Sequence, residues 1–301
     1  MDTPSLAWPA RLLRGGLRLA GRLPLPLLHA AGRLLGSALW LFRSRPRRIV
    51  EHNLSLVAAQ SGDGTRHALA RAALVETGKA AIETAKIWGT RPDRVLRLVR
   101  ETVGAELLDE ALAAQRGVII AAPHLGCWEL LNYWLAARTP LAILYRAPRK
   151  STLEPLLREV RGAMPVEQVR AEGSGVRALY RRLAAGGVIG ILPDQKPRRG
   201  EGVLAPLLGV PASTMVLLPR LAQRTGAQVL FAFAERLPRG RGYRVHILPA
   251  PPGLCDADPL KACTALNLGI EACVRRAFAQ YQWTYKRWPR DARPPMPPAD
   301  R

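Results

Sequence analysis

Two residues in the stretch APHLGCWELLNYWL (122–135) have the chemistry of an acid–base pair. His124 stands where the apolar run GVIIAAP (117–123) stops, and Glu129 follows five positions later. An imidazole exchanges a proton near neutral pH, and a carboxylate beside it fixes the tautomer and stabilises the imidazolium. If His124 ends a strand and a helix opens near Leu125 or Gly126, the Glu129 carboxylate folds back onto the ring. Gly126 then permits a close approach of backbone or substrate. The bare spacing is weak, because chance supplies such pairs; its address at a strand end carries the weight. Two other readings compete: a histidine satisfied by structure alone, and a metal held by His124, Cys127 and Glu129. The metal reading lacks a fourth ligand at a sensible spacing. Cys127 as a nucleophile is disfavoured by its place in the turn behind the histidine. Glu172-Gly173-Ser174-Gly175 approaches a nucleophile elbow but lacks the first glycine and follows no strand. Phosphate-loop and dinucleotide signatures are absent. A base at His124 must therefore activate a hydroxyl or water that the substrate supplies.

The elements that would hold such a base alternate along the chain. Residues 49–113 read as helical, most clearly over 69–88, and Arg91-Pro92-Asp93 opens a further helix. The runs 117–123, 141–146 and 187–193 are short, apolar and bounded by turn residues, as buried strands are. Helices are expected over 129–138, 152–161, 175–186, 214–226 and 261–281. Strands over 227–236 and 243–250 form a hairpin across Pro238-Arg239-Gly240. This order predicts an α/β fold with a mixed, mostly parallel sheet flanked by helices and a late antiparallel addition. Ligands in such sheets bind at the carboxyl ends of the strands. Three polar clusters fall there: Pro123-His124, Tyr145-Arg146 and Pro193-Asp194-Gln195.

Composition restricts the partners. The 301 residues carry a net charge of +22, with 39 arginines and 6 lysines, and nearly half are apolar, which excludes global disorder. The charge draws the chain to phosphate-bearing partners: anionic lipid, an acidic carrier protein or nucleic acid. No nucleic-acid motif accompanies it, so a basic nucleic-acid-binding protein is the minor alternative. The four cysteines form no CxxC pair, and free thiols are expected.

Residues 1–48 are read as a basic, helical, membrane-anchoring segment, 49–290 as the catalytic domain and 291–301 as a disordered, proline-rich tail. The apolar stretch 23–42 is interrupted by Pro24, Pro26, His29 and Arg33, a poor pattern for a spanning helix. Arginines on both flanks, with Trp8 and Trp40, suit a helix lying in the headgroup layer. The competing reading is an amphipathic helix packed on the domain.

The ordered set of motifs resembles the bacterial lipid A biosynthesis acyltransferases, within the glycerolipid acyltransferase superfamily. His124-Leu-Gly-Cys-Trp-Glu129 is similar to the family's H-x4-[DE] block, and Tyr145-Arg146-Ala-Pro to its tyrosine–arginine–x–proline block. Arg161 falls where the family keeps a functional arginine. Leu192-Pro193-Asp194-Gln195, Leu208-Gly209-Val-Pro211 and Gln280-Tyr281-x-Trp283 continue the resemblance, which spans about residues 20–290. It implies transfer of an acyl chain from an acyl carrier protein thioester to a hydroxyl of a lipid A precursor, at the cytoplasmic face of the inner membrane. His124 and Glu129 would be catalytic, with Arg146, Arg161, Asp194 and Gln195 in substrate binding. Arg161 would stabilise an oxyanion or hold a phosphate. Neither a metal nor a bound cofactor is implied, and nucleic acid is not an expected partner. Acylation of another glycolipid or of a lysophospholipid is the alternative within the same chemistry, and a metal-dependent hydrolase lies outside it.

Overall fold

A computed structural model describes the backbone of residues 8–145, 166–170 and 173–294, and side chains from Arg14 onward. The expected helix over 152–161 lies outside these residues, as do Arg146 and Arg161. The chain opens with α1 (Trp8–Arg22), α2 (Leu25–Leu41), α3 (Arg45–Val57), α4 (Asp63–Gly89) and α5 (Pro92–Leu96). Then follow β1 (Val99–Val103), α6 (Ala105–Ala113), β2 (Val118–Ala121), α7 (Trp128–Ala136), β3 (Leu141–Tyr145) and β4 (Val166–Arg170). After α8 (Gly173–Ala184) come β5 (Val188–Ile191), β6 (Gly202–Leu207), β7 (Val210–Met215) and α9 (Leu217–Thr225). The strands β8 (Gln228–Arg236) and β9 (Tyr243–Pro249) lead into α10 (Pro259–Arg276).

Seven strands form one sheet in the order β1-β9-β8-β2-β5-β3-β4. Every neighbouring pair is parallel except β8 and β9, which form the late antiparallel addition. The mixed, mostly parallel sheet expected from the alternation is therefore present. Side chains alternate across it. Ile119 and Ala121 of β2 and Phe231 and Phe233 of β8 face a core closed by α3, α8, α9 and α10. Val118, Ile120, Leu230 and Ala232 face the other core, closed by α5, α6 and α7. Burial on both faces explains why β2 and β5 read as continuous apolar runs rather than as alternating ones.

Three departures from the sequence reading have physical causes. The β1 segment, VRETV, lies in the stretch expected to be helical, yet it pairs with β9 at one edge of the sheet. At the opposite edge β4, VEQVR, pairs with β3. Both are edge strands with polar residues between their valines, β1 mostly exposed and β4 burying only Val169, so neither carries an apolar signature. The segment from Gly202 to Met215 forms a separate antiparallel hairpin, and the helix expected from Thr214 begins only at Leu217. Leu208 and Gly209 turn that hairpin with φ of 52° and 79°, as a two-residue turn requires.

The helices α1 and α2 lie against α4. Gly32 and Gly36 of α2 and Gly78 of α4 bring the two backbones so close that a Cβ at any of them would meet main-chain atoms of the partner. The opposite face of α2 leaves Leu27, Leu34, Leu41 and Phe42 exposed. Among the described residues no single helix is long and apolar enough to cross a membrane; α2 and α3 pass that test only as a pair bent by 80°. Trp40 is half-buried, with the Arg47 guanidinium 3.8 Å above its ring.

Candidate active site

The register of two strands places the site. β2 and β5 are parallel neighbours, with Ala121 opposite Ile191. His124 and Asp194 each lie three residues beyond that pair, so both leave the carboxyl edge side by side. The Asp194 carboxylate grips the histidine twice. Oδ1 is 2.8 Å from the imidazole Nδ1, and Oδ2 accepts the His124 backbone N–H at 2.9 Å. On the far side of the ring, the Gln195 side-chain nitrogen lies 3.1 Å from Nε2. A nitrogen facing a carboxylate holds its proton, so Nδ1 carries the hydrogen and Nε2 presents its lone pair to the Gln195 N–H. This is the tautomer of a general base.

The buried Asp194 stays ionised. Burial alone would raise its carboxyl, but the adjoining imidazole and the His124 N–H more than offset this and hold it below the ordinary value. The Tyr281 hydroxyl beside it is pushed well up, by burial and by the Asp194 charge.

Main-chain bonds fix the loop that carries His124. Its carbonyl accepts from Gln282 N at 3.0 Å, Gly126 N donates to Gln280 O at 3.2 Å, and Cys127 N donates to Ala234 O at 2.8 Å. Gly126 adopts φ of 62° directly against the Ala234 carbonyl, where a side chain would collide. The Gln280 side chain extends the clamp, accepting from Arg236 N at 2.8 Å and donating to Arg236 O at 3.0 Å.

Glu129 does not take the place expected for it. The residues after His124 are drawn across to Tyr281 and Ala234 as isolated bridges, and α7 starts only at Trp128. The chain therefore does not coil back on the imidazole, and Asp194 from the neighbouring strand occupies Nδ1 instead. Glu129 is buried in the first turn of α7, where a carboxylate favours the helix dipole. It shares with His124 the wall of a cavity of about 230 Å³. That cavity also receives Thr77, Thr84, Gln282 and Thr284.

A larger cavity, of about 740 Å³, meets His124 and Gln195 on the other side. Ile143, Val176, Tyr180, Ile191 and Met215 contribute its apolar walls. Exposed arginines Arg198, Arg220 and Arg224 also line it, together with Glu201. Of the residues singled out from the sequence, His124, Glu129, Asp194 and Gln195 thus converge. Tyr281, Gln282 and the arginines of the larger cavity were missed as site residues, although the Gln280-Tyr281-x-Trp283 motif marked that segment. Among the described residues no group of three or more His, Cys, Asp or Glu could hold a metal ion. None of the four thiols is in a disulfide, and burial pushes that of Cys127 well up, away from the reactive thiolate.

Comparisons with known proteins agree on the chemistry. The chain is 27% identical over 284 residues to the lipid A biosynthesis lauroyltransferase of Escherichia coli K12, covering 93% of this chain and 91% of that protein. It is 29% identical over 154 residues to a phosphatidylinositol mannoside acyltransferase of Mycobacterium tuberculosis, covering 50% of this chain and 48% of that one. The class is an acyltransferase enzyme. More particularly, residues 5–290 match the sequence model described as bacterial lipid A biosynthesis acyltransferase, and the chain belongs to that family.

Proposed function

We propose that the enzyme transfers a fatty acyl chain from an acyl carrier protein thioester to a hydroxyl of a lipid A precursor, with His124 as the general base. The observation that carries this reading is a histidine held at Nδ1 by Asp194 at the wall of a cavity of about 740 Å³ with apolar sides. The acyl chain would occupy that cavity, gaining about 0.8 kcal/mol for each methylene removed from water. Nε2 would take the acceptor proton as the hydroxyl oxygen attacks the thioester carbonyl, then return it to the departing thiolate. Such base catalysis contributes about 10²–10⁴ in rate. Glu129, acting from the smaller cavity, is assigned to the reaction as the second carboxylate: its charge favours the imidazolium that forms. Arg146 and Arg161 are retained as substrate-binding residues by resemblance alone. An acyl thioester is already activated, so the reaction as proposed uses neither a metal nor a bound cofactor.

The arginines at the larger cavity suit an acidic carrier protein and the phosphates of the acceptor. The exposed leucines of α2, followed by Arg43, Arg45 and Arg48, suit attachment in the headgroup layer at the cytoplasmic face of the inner membrane. The test supplies purified enzyme with carrier-bound acyl thioesters and either a lipid A precursor, another glycolipid or a lysophospholipid. Transfer to the lipid A precursor, lost in His124→Ala and strongly reduced in Glu129→Ala, is the expected result. Undiminished transfer by His124→Ala would refute the base, and preference for another acceptor would redirect the substrate.

A further inference from the structure

The turn after β5 holds the imidazole at both nitrogens with two successive residues, and only one of those contacts can persist during the reaction. Asp194 keeps Nδ1 throughout. Gln195 donates to Nε2, the atom that must receive the acceptor proton. While that bond stands, the lone pair is occupied and the base is capped. An acceptor hydroxyl can reach Nε2 only by replacing the amide, which releases an N–H donor beside the base. A primary amide carries two such hydrogens, and Gln195 lines the larger cavity beside His124.

We propose that Gln195 is a catalytic residue with two successive partners: it caps Nε2 in the empty enzyme and donates to the thioester oxyanion once the acceptor displaces it. This rests on the acyl-transfer reading above. In the step itself, the acceptor O–H proton passes to Nε2 as the oxygen bonds to the thioester carbon. The carbonyl π pair moves onto its oxygen, where the Gln195 N–H receives it. Collapse re-forms the carbonyl and breaks the C–S bond, and the sulfur leaves with the proton from the imidazolium. No oxidant, reductant or further reactant is needed.

The location supports the second role. The Gln195 main chain cannot drift, because its neighbours are tied: Asp194 to the histidine loop, and Lys196 N to the Tyr285 hydroxyl at 3.0 Å. With the main chain tied, only the Gln195 side-chain torsions change as the amide passes from Nε2 to the oxyanion, which keeps the reorganisation small.

The experiment compares wild type, Gln195→Ala, Gln195→Glu and His124→Ala in steady-state acyl transfer, with thermal unfolding to verify folding. Gln195→Ala is expected to lose about 10²–10³ in kcat with KM nearly unchanged, as for removal of one oxyanion donor. Gln195→Glu keeps the size and fold of the turn but has no donor at neutral pH, so it should fall at least as far. A kcat at the wild-type level in both variants, with His124→Ala inactive, overturns the proposal and leaves the base assignment standing. Activity in His124→Ala instead overturns the parent reading, and this inference with it. A second readout reports the cap: carbethoxylation of His124, followed by mass spectrometry without substrate. Gln195→Ala should be modified faster than wild type, and an unchanged rate overturns the capping role.

Discussion

Asp194 binds His124 through both carboxylate oxygens, one on the ring and one on the backbone amide, so a single side chain sets the position and the tautomer of the imidazole. Replacing it with asparagine keeps the shape and removes the charge. The amide would let Nδ1 lose its hydrogen and turn Nε2 into a donor, the wrong tautomer for a base. Asp194→Asn is expected to lower kcat by about 10³–10⁴, the scale of the same change in a serine-protease triad. Steady-state kinetics on protein with an unaltered circular dichroism spectrum checks this, and activity within a few fold of wild type would count against the dyad.

A second prediction concerns the arginines of the larger cavity. Arg220 and Arg224 are one helical turn apart on α9, where like charges repel unless an anion joins them. Reversing both to glutamate should raise KM for the carrier-bound donor about tenfold at low ionic strength and leave kcat little changed. The effect should shrink in high salt, as screening removes steering. A salt-independent loss would point to a packing defect.

Acid stability offers a third. Glu83 of α4 is buried among the guanidinium of Arg236, the hydroxyl of Tyr243 and the ring of His29. Burial would raise this carboxyl, but Arg236 first, then His29, bring it down to about 2. A depressed carboxyl contributes stability that is complete above its unfolded value of about 4.5 and is lost as pH falls toward about 2. The shift corresponds to about 3 kcal/mol. Glu83→Gln should therefore be destabilised by about 3–5 kcal/mol at pH 7, leaving the buried Arg236 with Glu76 but without Glu83 as a counter-charge. Urea titrations should show the gap to wild type narrowing between pH 4.5 and 3, whereas a constant gap would mean the charge is not the cause.

The close seam between α2 and α4 gives a fourth. Gly78→Ala should cost about 1–3 kcal/mol, since the new methyl meets the backbone of Gly32 and Gly36. Gly64→Ala, in the same helix but open to solvent, should instead stabilise by up to about 1 kcal/mol. Differential scanning calorimetry of the pair reads the contrast directly; equal effects would dissolve the seam.

Sequence patterns disclosed the interior of this fold better than its edges. The runs at Val118–Ala121 and Val188–Ile191 are apolar because both faces of the sheet are covered. VRETV and VEQVR are more polar because an edge strand is covered less than a central one, and so they escaped notice. The site shows a similar division. His124 and Asp194 were visible as strand-end residues, but their contact depends on β2 and β5 being neighbours, which no local pattern states. Proximity in the chain favoured Glu129 as the histidine's partner, and proximity in the sheet favours Asp194. Once two strands are known to pair in parallel, counting equal steps past their last partners identifies such contacts without any motif.

The clamp on the histidine loop has a bearing on biosynthesis. Residues 280–282 hold His124 and Gly126, and the β1 edge waits for β9 to arrive. During synthesis from the amino terminus, nearly the whole chain must emerge before either closure is possible. Such long-range closures are slow, because chain entropy is spent before the contact rewards it. Nascent chains would thus remain without a working base until the last helix docks, so acyl transfer and completed folding should begin together.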